Sequence, residues 1–174
     1  GGRERRDFGE AIKEAAKRVR TLKNKAMNDL GEDRAKIFSA YEMLLEDTML
    51  TAPMQAEIEN GAEPEAAVDK VTGEMARVLE SKKSEYMRQR ADDIRYVGEL
   101  IKEALCGANT EFEFPAGDEK FVLAANELTP VDTMLFDANR LAGLATEKGG
   151  ITSHTVILAK SMGIPAVVGI KNLS

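Results

Sequence analysis

Apolar residues recur at alternating steps of four and three positions through the first part of the chain. The first series, between Asp7 and Leu30, consists of Phe8, Ile12, Ala15, Val19, Leu22 and Ala26. Such spacing places apolar side chains on one face of an α-helix. Gly31 follows directly, and glycine is common just past a helix end. The pattern therefore predicts a helix over residues 7–30.

A second apolar series predicts a helix over residues 33–50. Its expected core positions are Ile37, Leu44, Leu45 and Met49. Thr51 and Pro53 then predict that a new helix starts, because threonine often caps a helix and proline is tolerated in its first turn. Asn60 and Gly61 predict the end of that short helix.

A long helical stretch is predicted from Pro64 to Cys106. Its apolar positions are Val68, Val71, Met75, Val78, Leu79, Tyr86, Ile94, Val97, Ile101 and Leu105. The polar segment Ser81–Ser84 interrupts this series, so we expect a bend or a break there. Together the helical segments predict an antiparallel bundle over residues 7–107.

The pattern changes at Ala108, where runs of strand length begin to alternate with helical segments. Helices are predicted over Thr129–Phe136 and from the neighbourhood of His154 to a stop at Gly163. Strands alternating with helices indicate an α/β unit with a largely parallel sheet over residues 108–174. The predicted strands are Glu111–Phe114, Lys120–Ala125, Leu141–Ala145 and Ala166–Val168.

Composition limits the possible partners and surroundings of the chain. Its 174 residues carry a net charge of −6, which argues against nucleic acid and favours a basic protein as partner. No apolar run approaches the roughly 20 residues that span a bilayer. The single cysteine, Cys106, excludes an internal disulfide and fits a reducing, cytoplasmic compartment. Because Cys106 ends a helical run beside Gly107, we interpret it as a buried or half-buried structural thiol.

The only histidine, His154, lies in the segment Gly149–Lys160, which reads GGITSHTVILAK. Two glycines and the hydroxyl residues Thr152 and Ser153 precede it, and an apolar helical run follows. The free N–H groups at a helix N-terminus attract phosphate, and a neutral imidazole placed there is a nucleophile. The alternative is a histidine that only caps the helix or lies in the core.

The segment Gly149–Gly169 resembles the phosphohistidine signature of enzymes that take phosphate from phosphoenolpyruvate. These are Enzyme I of the sugar phosphotransferase system, phosphoenolpyruvate synthase and pyruvate phosphate dikinase. Three further segments, Tyr41–Asp47, Arg90–Arg95 and Ala125–Pro130, resemble Enzyme I in order and spacing. One difference is Lys160, where the family usually has arginine, so a point charge replaces a bidentate group. The resemblance implies a helical bundle inserted into an α/β phosphohistidine, or swivelling, domain.

The resemblance also implies roles for individual residues. His154 would accept a phosphoryl group that comes from phosphoenolpyruvate and pass it to the phosphocarrier protein HPr. Thr133 matches a threonine that hydrogen-bonds the active imidazole, and Thr152, Ser153 and Lys160 would support the site. For these four residues, an ordinary helix cap or a solvated position is the alternative.

HPr is expected to dock on the helical bundle, on an apolar patch between two helices that is ringed by acidic groups. Two of the matching positions, Met43 and Leu79, also have core spacing, so for them burial in the bundle is the alternative. The positions that match the family's docking surface are Met43, Asp47, Leu50, Leu79, Met87 and Arg90.

By the same resemblance, the sequence corresponds to an N-terminal fragment of Enzyme I with a partial phosphohistidine domain, incomplete at both ends. Phosphoenolpyruvate, magnesium and the homodimer contact are expected in a C-terminal domain outside this sequence, and no metal site is expected within it. Two other interpretations stay open. One is the phosphohistidine domain of a synthase or dikinase, and the other is a non-catalytic helical interaction module.

Overall fold

The computed structural model describes residues 7–107, 117–126, 128, 139–148, 156, 159–160 and 162–171. The chain divides into two compact units, Gly1–Glu111 and Phe112–Ser174, which we call the helical unit and the α/β unit. The boundary expected at residue 107 and the functions assigned to its two sides stay predictions.

The described part of the helical unit consists of helices joined by short connections. The interruption expected at Ser81–Ser84 is confirmed as a turn, in which Lys83 adopts a φ of 53°. Gly31 separates the first two helices with a φ of 90°, which favours glycine, and its N–H donates to the Ala26 carbonyl at 3.1 Å. The helices are α1 (Phe8–Leu30), α2 (Glu32–Glu46), α3 (Thr48–Glu59), α4 (Pro64–Glu80) and α5 (Glu85–Leu105).

Ion pairs reveal the relative directions of neighbouring helices. Lys23 of α1 lies 2.7 Å from Glu42 of α2, whereas Arg20, earlier in α1, reaches the later Glu46 at 3.5 Å. These two helices therefore run antiparallel, as do α4 and α5. Exposed ion pairs contribute only about 0–1 kcal/mol each, so apolar burial stabilises the unit. Its largest fully buried side chains are Val19, Phe38, Leu50, Met54, Val68, Val97, Ile101 and Leu105.

The expected boundary between the second and third helices is wrong. The chain leaves helical geometry at Asp47, whose φ of −77° and ψ of 114° are extended, and the Asp47 carboxylate accepts the Met49 N–H at 2.8 Å. Thr51 is therefore not the cap, because its hydroxyl donates to the Asp47 carbonyl at 3.1 Å from inside α3. Pro53 likewise lies within the helix instead of in its first turn.

Several positions of the apolar series do not lie in the core. Met49 is 75% exposed, Val78 59% and Tyr86 63% exposed, and Leu44 is half-buried. An apolar series marks a stripe broader than the contact that one neighbouring helix can cover, so its flanks reach solvent.

The interpretation of Cys106 as a buried or half-buried thiol is also wrong. The side chain is exposed, because Cys106 caps the end of α5, where the helix has passed its packed length. Its Sγ lies 3.6 Å from Oε1 of Glu65.

The described part of the α/β unit contains three parallel strands in the order β1 (Phe121–Ala125), β2 (Leu141–Thr146) and β3 (Ala166–Val168). All three confirm predicted strands, β1 beginning and β2 ending one residue later than expected. The strand predicted at 111–114, the helix predicted over 129–136 and the predicted helix start at His154 lie outside the described residues. The buried cluster of this unit is Leu123, Leu128, Leu141, Leu144 and Ala159.

A glycine ends the helical segment before β3, as the sequence predicts. Gly163 has a φ of 66° and its N–H donates to the Lys160 carbonyl at 3.2 Å. The next N–H, of Ile164, donates to the Ala159 carbonyl at 3.0 Å. This pair of bonds is the Schellman arrangement that closes many helices.

No helix in the described part of the chain is both long and apolar enough to cross a membrane.

Candidate functional site

The carboxyl ends of the three parallel strands meet at one edge of the sheet. Backbone hydrogen bonds join the residues that leave the strands there. The Lys148 N–H donates to the Asn126 carbonyl at 2.8 Å, and the Ile170 N–H donates to the Thr146 carbonyl at 3.1 Å. In open α/β sheets, ligands bind beyond this edge.

A buried threonine fixes the last residues before the candidate segment Gly149–Lys160. Thr146 is 0% exposed, and its hydroxyl donates to the Lys148 carbonyl at 2.7 Å. An exchange of this hydroxyl for a methyl group would remove that hydrogen bond. The described geometry therefore places Thr146 and Lys148, which precede the candidate segment in the sequence, at the ligand-binding edge of the sheet.

Four of the predicted site residues, His154, Thr133, Thr152 and Ser153, lie outside the described residues, and their roles stay predictions. Lys160 is described and exposed, in the last helical turn before Gly163. That position fits the solvated alternative, and its contact with a phosphate or carboxylate also stays a prediction. Among the described residues, no three His, Cys, Asp or Glu side chains lie close enough together to hold a metal ion.

Contacts within the helical unit bring parts of α2, α4 and α5 to one level of the bundle. The ring of Tyr41 on α2 lies 4.8 Å from the ring of Tyr96 on α5. The neighbouring Arg95 forms an ion pair with Glu80 at the end of α4. The surroundings of Tyr41, Tyr96 and Glu80 therefore lie close together in the helical unit.

The six predicted docking positions differ in exposure. Met43 is 72% exposed, and Asp47 is exposed at the junction of α2 and α3. Leu79, Met87 and Arg90 are half-buried.

Leu50, the sixth position, is 0% exposed, so its side chain belongs to the core of the helical unit and offers no surface. Two members of the predicted apolar series, Val78 and Tyr86, are exposed, and they directly precede the predicted docking positions Leu79 and Met87 in the sequence. Val78 and Leu79 are adjacent in the apolar series, and the side chains of such a pair point about 100° apart around the helix. At the edge of an apolar stripe this spacing can turn one of the two toward solvent, as it does Val78.

Arg90 has two neighbours on its own helix. Its Nη1 lies 3.5 Å from Oδ2 of Asp93, and its guanidinium carbon lies 5.2 Å from the centre of the Tyr86 ring. The Arg90 Nε is buried, with no hydrogen-bond partner. Arg90 is thus held from two sides while part of its donor set is unused.

Asp93 is a buried carboxylate that the sequence analysis did not single out. It is 4% exposed, and burial raises its pKa; the charge of Arg90 opposes this shift, and that of Asp92 adds to it. The sequence did contain a signal, because Asp93 precedes the buried Val97 by four positions and so falls on the core face of α5.

Two family models match the chain. The model described as the N-terminal part of PEP-utilising enzymes matches residues 2–90, and the model described as their mobile domain matches residues 117–174. Among curated relatives, the phosphoenolpyruvate-protein phosphotransferase of Listeria monocytogenes is 38% identical over 96% of this chain. The protein of the same name from Staphylococcus aureus is 37% identical over the same share. The chain spans 29% of the length of each of these relatives.

Solved structures give the same result. A solution NMR structure of Enzyme I matches with a TM-score of 0.78 and 37% identity, covering 95% of this chain and 67% of the other. The N-terminal domain of a nitrogen Enzyme I matches with a TM-score of 0.63 and 30% identity, covering 93% of this chain and 66% of the other.

Proposed function

This chain belongs to the Enzyme I family of phosphoenolpyruvate-utilising enzymes, and on that premise we propose that it is the part of such an enzyme that relays a phosphoryl group through His154 to HPr. One observation carries the proposal. Thr146 and Lys148, which directly precede the segment with the only histidine of the sequence, lie at the carboxyl edge of a parallel sheet within the mobile-domain match.

The relay consists of two in-line phosphoryl transfers. An imidazole nitrogen of His154 attacks the phosphorus of phosphoenolpyruvate, an N–P bond forms, and the P–O bond to the enol oxygen breaks. The enolate leaves and takes up a proton to give pyruvate. An imidazole nitrogen of HPr then attacks the phosphorus of the phosphohistidine, a new N–P bond forms on HPr, and the N–P bond to His154 breaks to leave a free imidazole. Because histidine has an unperturbed pKa near 6.5, much of it is neutral and nucleophilic at the pH of the cytoplasm.

The supporting residues act on the orientation and charge of the His154 imidazole and of its phosphoryl group. Thr133 fixes the ring by a hydrogen bond, while Thr152 and Ser153 contribute hydroxyl groups beside it. Lys160 supplies a positive charge to phosphate or carboxylate. Magnesium, the phosphoenolpyruvate site and the homodimer contact belong by resemblance to a C-terminal domain. Within the described ranges, no set of residues fits a metal ion.

HPr docks on a surface of the helical unit that we call the docking patch, formed by Met43, Asp47, Leu79, Met87 and Arg90. Flexible methionine side chains adapt to a partner surface, and the 72% exposure of Met43 makes it available for contact. The net charge of −6 favours a basic partner, which approaches faster under electrostatic attraction.

Both alternative functions are less well supported. A synthase or dikinase would leave the helical segment Tyr41–Asp47 unexplained, and the curated relatives cited above are named phosphoenolpyruvate-protein phosphotransferase. A non-catalytic interaction module differs from the proposed relay in one measurable property, the uptake of phosphate.

Radiolabelled phospho-HPr tests the relay, because the label reaches His154 by reversal of the second transfer. The chain should take up label as an acid-labile, base-stable phosphoramidate. His154→Ala should take up none while its helical circular dichroism stays unchanged. Cys106→Ser is the matched control, since it removes the exposed thiol nucleophile and should label normally. Labelling of His154→Ala would contradict the assignment, and an unlabelled native chain would favour the interaction module.

A further inference from the structure

Polar side chains appear on the core-facing stripe of α5 toward the start of the helix. Val97 and Ile101 are fully buried on this stripe. Continued toward the N-terminus at steps of four and three, the same stripe carries Asp93, Arg90 and Tyr86. In this part of α5, a carboxylate, a guanidinium and a tyrosine ring thus continue the stripe beside the buried apolar residues Ala91 and Ile94.

The stability of the fold does not explain the carboxylate of Asp93. A buried charge is unfavourable unless it is well paired, and the Arg90–Asp93 pair is 3.5 Å long. Burial also raises the pKa of Asp93, so the protein favours its neutral form relative to water. An uncharged side chain of similar size would fill the position at lower cost. The carboxylate is therefore better explained by its effect on Arg90.

Arg90 is partly exposed, so a change in the orientation of its guanidinium can alter contacts with a bound partner. Its side chain is 37% exposed, and its guanidinium is held between the Asp93 carboxylate and the Tyr86 ring, which is itself 63% exposed. A guanidinium has five N–H donors and no acceptor, so its free donors suit an oxygen atom of a partner. Because its rotamer is already restricted, less conformational entropy is lost when a partner binds.

We propose that Asp93 is a positioning residue, whose carboxylate holds the Arg90 guanidinium over Tyr86 in the orientation that donates to an oxygen acceptor of the docked phosphocarrier. This inference rests on the proposed function, since it uses the docking patch. It adds to that function a buried residue that never touches the partner.

The experiment is a calorimetric titration of the chain with HPr. Asp93→Asn keeps the shape of the side chain and should raise Kd by about tenfold, the size of a typical coupling between contacting residues. Its thermal unfolding midpoint should stay unchanged or rise, because a costly buried charge is lost. Asp92→Asn is the matched control: the same charge is removed one residue away, at a side chain that is 77% exposed, and Kd should hold.

A double-mutant cycle separates positioning from a general structural effect. In an Arg90→Ala background, Asp93→Asn should leave Kd unchanged, because the residue that it orients is gone. Nitrogen relaxation at the Arg90 Nε should show a more mobile guanidinium in Asp93→Asn than in the native chain.

The outcomes separate the inference from the function on which it rests. Three results would each overturn the inference alone. The Asp93→Asn variant could bind HPr with the native Kd, the effects of Asp93→Asn and Arg90→Ala on Kd could be additive, or the Arg90 side chain could be equally ordered in the variant and the native chain. Failure of the unsubstituted chain to bind HPr would overturn the proposed function and the inference together.

Discussion

In the helical unit, each of the five helices contributes side chains that are at most 2% exposed. The described part of the α/β unit differs, because it buries one cluster of five apolar residues, while Val122 and Val167 of its sheet stay 64% and 57% exposed. The helical unit is thus organised by long apolar stripes. The α/β unit is organised by parallel strands, whose carboxyl ends come together at one edge. The first arrangement supplies a rigid surface, and the second supplies the place where loops can bind phosphate.

The two units are expected to differ in what a buried substitution affects. Ile101→Ala removes a fully buried side chain of α5 and should lower the unfolding free energy of the helical unit by about 2–5 kcal/mol. The equivalent change in β2, Leu144→Ala, should act on the α/β unit. Tyrosine fluorescence distinguishes them, because all three tyrosines, Tyr41, Tyr86 and Tyr96, lie in the helical unit.

In a urea titration followed by tyrosine fluorescence, the unfolding midpoint should therefore be lower for Ile101→Ala than for the native chain and unchanged for Leu144→Ala. Val78→Ala is the matched control within the helical unit, since its side chain is 59% exposed and should change the transition little. An equal tyrosine-detected shift for Ile101→Ala and Leu144→Ala would show that the units unfold as one, and the comparison drawn above would fail.

A pair of glycines tests how closely α4 and α5 pack. A Cβ at Gly98 would lie 2.9 Å from Cγ2 of Thr72, which is 5% exposed and whose hydroxyl donates to the Val68 carbonyl at 2.8 Å. Because that threonine is buried and hydrogen-bonded, it cannot easily move aside. Gly98→Ala should therefore destabilise the helical unit by about 1–3 kcal/mol in the same titration.

Gly73→Ala is the control, and its expected effect on the unfolding free energy has the opposite sign. Its added Cβ would lie 3.8 Å from the nearest atom, Nη2 of Arg77, which is an ordinary contact. Alanine loses less backbone entropy than glycine within a helix, so this change should stabilise the unit by about 0.5–1 kcal/mol. If both substitutions stabilised it, the close approach of α4 and α5 at Gly98 would have no energetic consequence.

The sequence predicts the helices and strands well because apolar periodicity and glycine stops are local signals. The boundary at Asp47 was missed because several residues there can cap a helix, and local preference alone cannot decide among Asp47, Thr51 and Pro53. In the structure the Asp47 carboxylate caps α3, and Thr51 turns its hydroxyl back to the same residue.

The candidate site was predicted in a different way. His154 and its neighbours were found through a continuous motif, which no apolar pattern would reveal. Asp93 was missed because a charged residue on a helix is by default assigned to solvent. Its burial depends on the position of the core stripe of α5, which is a property of tertiary packing.

The smallest expected effect is the contribution of Asp93 to the pH dependence of the unfolding free energy. Its folded-state pKa is raised above the ordinary value of 3.8, chiefly by burial, with Arg90 opposing the shift and Asp92 adding to it. The folded chain therefore binds this proton more tightly than the unfolded chain. The corresponding stabilisation is fully present below about pH 3.8 and is lost as pH rises through the folded-state pKa.

Asp93→Asn should remove this contribution, so the difference in unfolding free energy between variant and native chain should shift in favour of the variant as pH rises across that window. Asp92→Asn should not produce the same slope, because its side chain is 77% exposed. The measurement is a series of urea titrations at fixed ionic strength from pH 3.5 upward, analysed as differences from the native chain. A difference that does not change with pH would mean that Arg90 compensates the burial of Asp93 completely. In that case the buried Asp93 carboxylate would not lower the unfolding free energy of the helical unit. The helical unit would then bury Asp93 at no greater cost in stability than that at which the α/β unit buries its hydrogen-bonded Thr146.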